Sequence, residues 1–574
     1  MKTVNVICTT LLIERSPQAL PLGAACIASA IKNNPLTKGI CTVTLKPFCK
    51  EDEEFAKHST SEQEAAEYIA QQIYGSCGQG DSLQTGASLQ TSESLQTEEC
   101  AESIVCFSVF VWNRIILEQT ARILRAKGIT CIAGGPEVTA NPNSFSDFDY
   151  VVCGEGETSV PPLVSRILSG EKIESKVIYK NTFAPAAAET DSVNKQGADT
   201  ELTGLTSPYL DGTLDPALYE GALWELARGC PFKCSYCYES KGEKKVRQFP
   251  MERIEAELDL FARKKIPQVF VLDPTYNANK ERALKILNLI AKKTPETFYY
   301  FEARAEFIDS QMAKAFTKIP CALQIGLQSA NEEVLKLVNR PFNRKQFVRN
   351  IGILNNAGVT FGFDLIYGLP GETFKSFKEG IEFAISLYPN NLEIFCLSVL
   401  PGTDLFERAQ QLNLTYEQQP PYHILHTDKF SAEELKHAER LAKACSIFYN
   451  EGCAVPWFNI ILHTLKMRAC EFLDAFYEQQ NLSQKECCNL TQLEIEKMQL
   501  EFITGLFKAK HADRFTKVIS DIIRYNGAFA RRTATGKPQK VQLNYPAEYL
   551  ESEYVFNLDY FVKNVKVKVN TVTI

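Results

Sequence analysis

The chain has 574 residues, of which 45% are hydrophobic and 23% are charged, an ordinary balance for a folded water-soluble protein. This length allows three or four domains at roughly 150 residues each. The formal net charge of −7 argues against a general nucleic-acid binder, which usually carries a basic face. The sequence has no apolar run long enough for a transmembrane helix, and its first residues lack the basic start of a signal peptide. We therefore expect a cytoplasmic protein.

Most of the 19 cysteines stand singly inside apolar strands, as do Cys8, Cys106, Cys131, Cys321 and Cys396. In a reducing compartment such cysteines behave as small buried hydrophobic residues. The same interpretation holds for the adjacent Cys487 and Cys488, which lie in a helical stretch without spaced partners.

Residues 1–180 alternate strand-like and helix-like segments. The strand-like runs are VNVICTT, CTVTLKPF, SIVCFSVF, TCIAGGP and YVVCGEG. Apolar strands that alternate with amphipathic helices predict a parallel, doubly wound Rossmann-like sheet. Ligands of such sheets bind beyond the carboxyl ends of the strands.

Two polar segments interrupt this pattern. Residues 76–99 carry SLQT three times, starting at Ser82, Ser88 and Ser94. A Ser/Gln/Thr-rich segment cannot bury a core, and three short copies are too few for a β-helix, so we expect a disordered surface insertion. Residues 181–215 are polar and rich in Ala and Thr, and they predict a linker or a long strap between domains.

Residues 216–410 contain a second series of strands, each followed by helix-forming sequence. These strands are ALWELARG, QVFVLD, TFYYFEAR, CALQIGLQ, VTFGFDLIYG and NLEIFCLSVLPG. Six such units predict a partial (β/α)6 barrel with its chemistry at the strand C-termini. Residues 411–574 have helical spacing for the most part and predict an accessory helical domain, although the last stretch looks β-like.

Three cysteines with close spacing follow the first strand of this second series. Cys230, Cys234 and Cys237 stand in the order C-x3-C-x2-C in WELARGCPFKCSYCYES. A 4Fe-4S cube usually takes four thiolates, so three would leave one iron open for a substrate. A zinc site would need a fourth Cys or His nearby, and none of the six histidines lies in this region. Chance spacing among many cysteines is the other alternative.

This segment, with the aromatic Tyr236 before the last cysteine, resembles the signature of the radical S-adenosylmethionine superfamily. The resemblance covers residues 216–410. It implies a 4Fe-4S cluster on the three cysteines, with S-adenosylmethionine chelated to the open iron. One electron from the cluster then breaks the sulfonium C–S bond and yields a 5′-deoxyadenosyl radical. A flavodoxin or ferredoxin would supply that electron.

The resemblance assigns further residues to the binding of S-adenosylmethionine. Asp273 and Thr275 stand at the second strand end, where the family holds the amino group. Glu302 and Arg304 alternate on the third strand and so share a face, and an Arg there suits the methionine carboxylate, although a solvated surface pair would look the same. The remaining candidates at strand ends are Gln328, Ser329 and Asp364, the last followed by the turn glycines Gly368 and Gly371, which would also suit a plain βα loop.

The domain that precedes the cysteines resembles the cobalamin-binding domain of one large class of this superfamily. Its matching segments contain Phe110, Val111 and Trp112, then Gly134 and Gly135, then Gly154, Glu155, Gly156 and Glu157. Paired glycines allow backbone to approach a flat ligand, and a helix N-terminus can receive polar groups of a nucleotide tail. No Asp-x-His-x-x-Gly motif is present, so cobalamin is expected to bind without a protein His ligand. A degenerate domain without cofactor, with Trp112 in the core, is the alternative.

The two resemblances together imply an enzyme that transfers a methyl group through cobalamin to an unactivated carbon, or to phosphorus, of a small-molecule, natural-product or lipid-like substrate. Cyclisation, oxidation or rearrangement with the same cofactors is the second hypothesis. A methylthiotransferase would need cluster cysteines in the N-terminal domain, and Cys8, Cys26, Cys41 and Cys49 lack that spacing. A cobalamin sensor without catalysis is the last alternative.

The C-terminal region resembles an uncharacterised domain attached to proteins of this type. His423 and His426 could approach the active site, although a turn with solvent-facing histidines is the simpler interpretation. A group of basic residues could bind an anionic substrate, but an ordinary solvated face is expected; these are Arg524, Arg531, Arg532, Lys537 and Lys540.

Overall fold

The computed structural model describes residues 4–77, 103–180, 182–183, 202–240, 245–482 and 490–574. The three SLQT repeats and the pair Cys487–Cys488 lie outside these residues. Ser76 and Cys77, which we assigned to the polar insertion, instead form the last residues of a helix (Glu62–Cys77). The predicted insertion therefore begins too early, because the apolar face of that helix continues to Cys77.

The N-terminal domain contains a six-stranded parallel sheet. Its elements in chain order are β1 (Val4–Thr9), β2 (Leu11–Leu12), α1 (Leu22–Asn33), β3 (Cys41–Leu45), β4 (Phe48–Cys49), α2 (Glu53–Lys57), α3 (Glu62–Cys77), β5 (Ser103–Ser108), α4 (Arg114–Ala126), β6 (Thr130–Gly134), α5 (Pro136–Ala140), β7 (Tyr150–Val152), α6 (Gly156–Leu168) and β8 (Val177–Ile178). The sheet order is β3-β1-β5-β6-β7-β8, while β2 and β4 form a small separate pair.

The strands of this sheet are apolar because both faces of the sheet are buried under helices. All six residues of β5 are buried. Ile104 and Cys106 pack in the hydrophobic cluster that contains α1 and α6, whereas Val105 and Phe107 pack in the cluster that contains α3 and α4. Helices on both faces of a parallel sheet define the doubly wound fold, and that prediction is confirmed.

The central domain is the predicted open barrel. Its elements are β9 (Gly221–Trp224), β10 (Ala227–Arg228), β11 (Arg247–Gln248), α7 (Met251–Lys264), β12 (Gln268–Val271), α8 (Lys280–Lys293), β13 (Phe298–Ala303), α9 (Ser310–Phe316), β14 (Cys321–Gln328), α10 (Glu332–Leu337), α11 (Arg344–Ala357), β15 (Thr360–Tyr367), α12 (Phe374–Ile385) and β16 (Asn391–Cys396). Six parallel strands lie in the order β9-β12-β13-β14-β15-β16, and β10 pairs with β11 as a short hairpin.

The pleat of the strands decides which side chains enter the barrel. In β14 buried and partly open residues alternate strictly from Cys321 to Gln328. The buried set packs against the helices, so Gln324, Gly326 and Gln328 line the barrel interior.

The C-terminal domain is mostly helical, as predicted. The short helix α13 (Asp404–Glu407) ends the barrel region. The elements of the C-terminal domain are β17 (Thr415–Tyr416), β18 (Ile424–His426), α14 (Ala432–Cys445), which continues as a π-helix (Ser446–Glu451), α15 (Phe458–Leu465), α16 (Ala469–Gln479), α17 (Gln492–Ala509), α18 (Thr516–Thr535), β19 (Lys540–Leu543), α19 (Ala547–Leu550), α20 (Leu558–Asn564) and β20 (Asn570–Thr573). The last stretch is β-like only at its ends, because α19 and α20 lie between the paired strands β19 and β20.

Two features join the domains. One continuous hydrophobic core includes residues of the barrel and of the C-terminal helices, so these two regions pack as one body. Residues 202–215 are the part of the predicted linker that the structure describes, and they contact both the barrel and the N-terminal domain. Ser207 Oγ donates to Glu257 Oε1 at 2.6 Å, while Asp211 Oδ2 accepts from Ser29 Oγ at 2.6 Å.

No described helix is both long and apolar enough to cross a bilayer.

Gly135 is the turn residue that starts α5, and we expect Gly135→Ala to destabilise the N-terminal domain. Its φ is +117°, and an added Cβ would lie 2.5 Å from the Val109 carbonyl oxygen. Gly39→Ala is a matched control, because Gly39 also has a positive φ but open space around it. Backbone strain predicts a cost of about 1–3 kcal/mol for each variant, and the clash predicts about a further 1–3 kcal/mol for Gly135→Ala. Equal thermal unfolding midpoints for the two variants would contradict this steric explanation.

Candidate functional site

The three spaced cysteines lie in one loop between β10 and β11. Gly229 starts the loop with φ +91°, and an added Cβ there would lie 3.0 Å from the Lys245 carbonyl oxygen at the other end of the loop. Asp273 fixes the backbone just before the loop, since its Oδ1 accepts hydrogen bonds from the N–H groups of Leu226 at 2.9 Å and Ala227 at 3.0 Å. Burial nevertheless raises the pKa of Asp273 to about 7. Asp273, which the resemblance assigned to the amino group of S-adenosylmethionine, therefore holds the backbone that enters the cysteine loop.

The three thiols lie near one another. Cys234 is buried, and Cys237 N–H donates to the Cys234 carbonyl at 3.1 Å. Burial raises the pKa of Cys237 to about 11, and the neighbouring Cys234 and Cys230 thiols add to that rise. Thr275 Oγ1 lies 3.8 Å from Cys230 Sγ, so this predicted residue is in the site.

Three cysteines in one loop are a donor set that suits an iron-sulfur cluster. Within the part of the chain that the structure describes, no three His, Cys, Asp or Glu side chains are close enough together to hold one metal ion. A cube binds each thiolate on a different iron and so needs its thiols farther apart than a tetrahedral zinc site does. Three thiolates would hold three irons of such a cluster and would leave the fourth iron without a protein thiolate.

Arg340 is a site residue that sequence reasoning missed. Its Nη1 lies 3.7 Å from Cys234 Sγ and 3.3 Å from the Tyr236 hydroxyl, and its Nη2 donates to the Gly326 carbonyl. The guanidinium is buried beside a sulfur that would be negatively charged as a ligand. Arg340 is 106 positions from Cys234 in the chain, so no local pattern could indicate the contact.

Carboxyl groups of β13, β15 and β16 and the amide of Gln324 on β14 line the barrel interior. The register places Glu302 beside Gln324, and Asp364 beside Glu393. Gln324 Nε2 donates to Asp364 Oδ1 at 2.5 Å. Burial raises the pKa of Asp364 to about 6 and that of Glu302 to about 7, and repulsion between the two carboxylates adds to the rise at Glu302. Near neutral pH these groups can both accept and donate hydrogen bonds.

Of the other residues predicted at strand ends, Arg304 and Ser329 bind protein side chains, whereas Gln328 has an acceptor without a partner among the described residues. Arg304 follows the end of β13, pairs with Glu306 and lies 3.9 Å from the centre of the Phe232 ring, so it does not share the open position of Glu302. Ser329 is buried and donates to Glu372 Oε1 at 3.0 Å. The described structure offers no hydrogen-bond partner for the buried Gln328 Oε1, which leaves that acceptor available to a ligand.

A cavity of about 430 Å³ opens beside the cysteine loop. Its wall includes Tyr236, Gln328, Asp364, Phe395, Cys396 and His423. The structure therefore overturns the simpler interpretation for His423, which lines this cavity, whereas His426 is solvent-exposed as expected. The antiparallel bridge between Ser398 and His423 brings the histidine there. Arg531 of the basic group pairs with Glu496 rather than standing free for an anion.

A second cavity, of about 260 Å³, lies beyond the carboxyl ends of β5, β6 and β7. Gly134, Gly135, Gly154 and Gly156 all line it. At Gly134 the nearest atom to an added Cβ is 3.8 Å away, and at Gly154 nothing lies within 4 Å, so backbone is open to a ligand at both positions.

Aromatic rings stand beside this cavity. Phe110 lines it, and the Trp112 ring stacks on Phe110 with centroids 4.5 Å apart and planes 8° apart. Trp112 is 45% exposed, so it is not a core residue. None of the cavity-lining residues, all of them in the described ranges, is a histidine, and His58 instead stacks on Tyr68. Exposed glycine backbone beside stacked rings fits a large flat ligand that needs no protein His.

The partly buried carboxylate of Glu155 connects the N-terminal domain to both ends of the cysteine loop. Its Oε1 accepts from Arg228 Nη1 at 2.8 Å and from Arg247 Nη2 at 2.8 Å. Arg228 also donates to Glu157 at 2.7 Å and to Glu225 at 2.8 Å. Arg228 and Arg247 flank the cysteine loop, so we call Glu155, Arg228 and Arg247 the interdomain clamp. The turn at residues 154–157 was predicted to receive polar groups of a ligand. Its two carboxylates, Glu155 and Glu157, also bind arginines of the barrel domain.

Comparison with known proteins identifies two regions. Residues 224–384 match the family model of the radical SAM superfamily, and residues 410–538 match a family described as a protein of unknown function, DUF4080. Over 350 residues the chain is 26% identical to the cobalamin-dependent radical SAM methyltransferase TokK of Streptomyces tokunonensis, which covers 54% of this chain and 49% of TokK. Over 272 residues it is 26% identical to the hopanoid C-3 methylase of Methylococcus capsulatus, covering 44% and 51% of the two chains. The chain thus spans about half the length of the curated relatives it matches.

Solved structures share the fold. The radical S-adenosylmethionine methyltransferase TsrM of Kitasatospora setae, solved with cobalamin and a [4Fe-4S] cluster, aligns with a TM-score of 0.51 and 14% identity, over 73% of this chain and 82% of TsrM. The cobalamin-dependent S-adenosylmethionine radical enzyme OxsB, solved with aqua-cobalamin, aligns with a TM-score of 0.53 and 13% identity, over 98% of this chain and 85% of OxsB.

We expect Glu155→Gln to weaken the interdomain clamp. Burial alone would raise the pKa of Glu155, but hydrogen bonds from Arg247 and Arg228 hold it at about 2, below its usual 4.5. A lowered folded-state pKa contributes stability that is complete above about pH 5 and is lost as the pH falls towards 2. With solvent screening, this contribution is on the order of 2 kcal/mol at pH 7.

The measurement is thermal unfolding of the apoprotein between pH 7 and pH 3. Glu155→Gln should unfold at a lower temperature at pH 7 and lose less stability on acidification than the wild type. Glu171→Gln, which removes an exposed ion pair with Arg166, is the matched control and should behave as the wild type. A Glu155→Gln protein with the pH profile of the wild type would contradict the role of the clamp.

Proposed function

We propose that this chain, whose residues 224–384 form a radical S-adenosylmethionine domain, is an enzyme that splits S-adenosylmethionine on a 4Fe-4S cluster and transfers a methyl group through cobalamin to a small molecule. The observation that carries the proposal is the position of the cysteine loop and the strand before it between the two cavities. The cysteine loop opens on the barrel cavity, and Glu225 and Arg228, just before that loop, line the cavity of the N-terminal domain.

The residues present suit these groups. Cys230, Cys234 and Cys237 would hold three irons of the cluster, and Tyr236 and Gln328 would contact S-adenosylmethionine in the adjoining cavity. Glycine backbone at positions 134, 135 and 154 and the stacked ring of Trp112 would hold the corrin. When bound, the cluster supplies an electron for C–S bond cleavage, and cobalamin carries the methyl group.

The protein's own side chains would orient the reactants. Asp364 and Glu302, with pKa values near neutrality, can each accept a hydrogen bond from a hydroxyl or donate one to a carbonyl. Asp364 lines the barrel cavity, and Phe395 and Ile366 give that cavity an apolar wall. The lining of this cavity is part polar and part apolar. It suits a substrate with both an apolar body and a hydrogen-bonding group, such as a natural product or a lipid-like molecule.

The names of the relatives favour methyl transfer over the second candidate, radical cyclisation, oxidation or rearrangement. TokK and the hopanoid enzyme are described as a methyltransferase and a methylase. OxsB is described only as a cobalamin-dependent radical enzyme, so the shared fold does not distinguish the two outcomes. We propose a flavodoxin or ferredoxin as the electron donor and an unactivated carbon, or phosphorus, as the methyl acceptor.

Cys234→Ala should abolish both cluster binding and cleavage of S-adenosylmethionine. After anaerobic reconstitution we expect about four irons per wild-type chain, together with reductant-dependent release of 5′-deoxyadenosine. Cys131→Ala is the matched control, because Cys131 is equally buried but lies in the N-terminal sheet. A Cys234→Ala protein that keeps its full iron content and cleaves S-adenosylmethionine would overturn the site assignment.

Trp112→Ala should weaken cobalamin binding by about tenfold, since stacking contacts of an exposed aromatic ring are worth about 0.5–1.5 kcal/mol beyond their area. Binding of hydroxocobalamin to the full-length protein is measured from its visible spectrum. Phe529→Ala, which removes a 56% exposed ring of α18, is the control and should bind as the wild type.

The same sample tests methyl transfer. With deuterated-methyl S-adenosylmethionine under reducing conditions, we expect the label in the extracted corrinoid and then in an added substrate. Label that never leaves S-adenosylmethionine would favour cyclisation or oxidation, and a wild-type protein that binds no hydroxocobalamin would contradict the N-terminal assignment.

A further inference from the structure

The segment between β17 and β18 contacts both the barrel and the N-terminal domain. It comprises residues 417–423, which we call the strap, and it belongs to the region that matches the family of unknown function. Tyr422 in the strap is only 3% exposed, although the strap itself connects two short strands at the edge of the barrel. Such deep burial of a phenol calls for polar partners.

The Tyr422 hydroxyl finds those partners in the N-terminal domain. It donates to Glu137 Oε1 and accepts from Arg114 Nη1 at 2.9 Å, while the same Arg114 nitrogen donates to Glu137 Oε1 at 2.9 Å. Arg114 and Glu137 are 9% and 4% exposed, so this triad is shielded from water. Hydrogen bonds to charged groups in such surroundings are the strong ones.

Glu137 connects the triad to the cavity of the N-terminal domain. It is the second residue of α5, and the two residues before it, Gly135 and Pro136, line that cavity. Thr139, two residues after Glu137, accepts from Gly154 N–H at 3.0 Å and donates to the Gly135 carbonyl at 2.9 Å. The position of α5 therefore sets two of the glycines that would face a corrin.

The other side of the strap is fixed to the barrel. The Tyr422 carbonyl accepts from Val399 N–H at 2.9 Å, and Ile424 N–H donates to the Leu397 carbonyl at 2.9 Å. Leu397 and His423 both line the barrel cavity. Consecutive residues of the strap thus contact the N-terminal domain and the barrel cavity.

We propose that Tyr422 is a positioning residue for the cobalamin cavity, contributed by the domain of unknown function, and that it acts through Glu137 by fixing α5 against the barrel. This inference rests on the proposed function insofar as it takes cobalamin as the ligand. It assigns the C-terminal domain a role beyond covering the barrel. Removal of that domain's contact loosens the methyl-carrier cavity while the cluster loop stays intact.

The test compares Tyr422→Phe with Tyr416→Phe in full-length protein. Tyr416 lies on β17 and its ring packs near Phe406, so the control alters a tyrosine of the same hairpin that is not part of the triad. Hydroxocobalamin is the probe, and its binding is followed by its visible spectrum. We expect about tenfold weaker binding for Tyr422→Phe, equivalent to about 1.4 kcal/mol, and unchanged binding for Tyr416→Phe.

A double-mutant cycle separates positioning from general stability. If Tyr422 acts through Glu137, then Glu137→Gln and the double variant should bind hydroxocobalamin about as weakly as Tyr422→Phe alone, because contacts in one network are not additive. Additive losses would overturn the inference. Iron content after reconstitution should be the same in all variants.

Hydrogen exchange of the apoprotein gives a readout that does not depend on cobalamin. Residues 135–141 should exchange faster in Tyr422→Phe than in the wild type, with unchanged exchange in β14. If the wild type binds hydroxocobalamin and Tyr422→Phe binds it equally with unchanged exchange, the inference fails and the proposed function stands. If the wild type binds no hydroxocobalamin, the proposed function fails, and the exchange result alone then decides whether Tyr422 fixes α5.

Discussion

Two arginines converge on Glu155, and this partly buried contact ties both ends of the cysteine loop to the N-terminal domain. Arg228 and Arg247 stand at the two ends of the loop, on paired strands β10 and β11. A planar guanidinium fixes direction as well as distance when it binds a carboxylate. Because Arg228, Glu225 and Glu157 also line the N-terminal cavity, the contact that orients the loop also forms part of the cavity wall.

The rest of the site follows from this geometry. With the loop fixed at its base, Arg340 contacts Cys234 from the segment after α10, and Asp273, just after β12, supports the backbone that enters the loop. Burial raises the pKa values of the barrel carboxyl groups Glu302 and Asp364, and a neighbouring carboxylate adds to each rise, Asp364 at Glu302 and Glu393 at Asp364. At Asp364 the hydrogen bond from Gln324 and the charge of Arg340 offset only part of this rise in pKa.

Positions of the strands were predictable because each apolar run is long, is flanked by helix-forming sequence and is buried on one or both faces. VNVICTT and CALQIGLQ show the two cases: β1 is enclosed by helices on both sides, whereas β14 alternates between the helix layer and the open barrel. The polar insertion was placed too early because helical periodicity fades gradually in EYIAQQIYGSC. His423 was misjudged because a histidine in a proline-rich turn looks solvent-facing until the bridge to Ser398 is known.

The sequence by itself determined the cysteine triplet, the succession of a doubly wound domain and a partial barrel along the chain, and the helical character of the C-terminal region. These features depend on spacing and periodicity over short stretches. Only the tertiary structure decided which charged residues meet. Glu155 with Arg228 and Arg247, Arg340 with Cys234, and Tyr422 with Glu137 all join residues far apart in the chain. Such pairs form where separate elements pack together, and no local pattern of residues encodes the position of one domain against another.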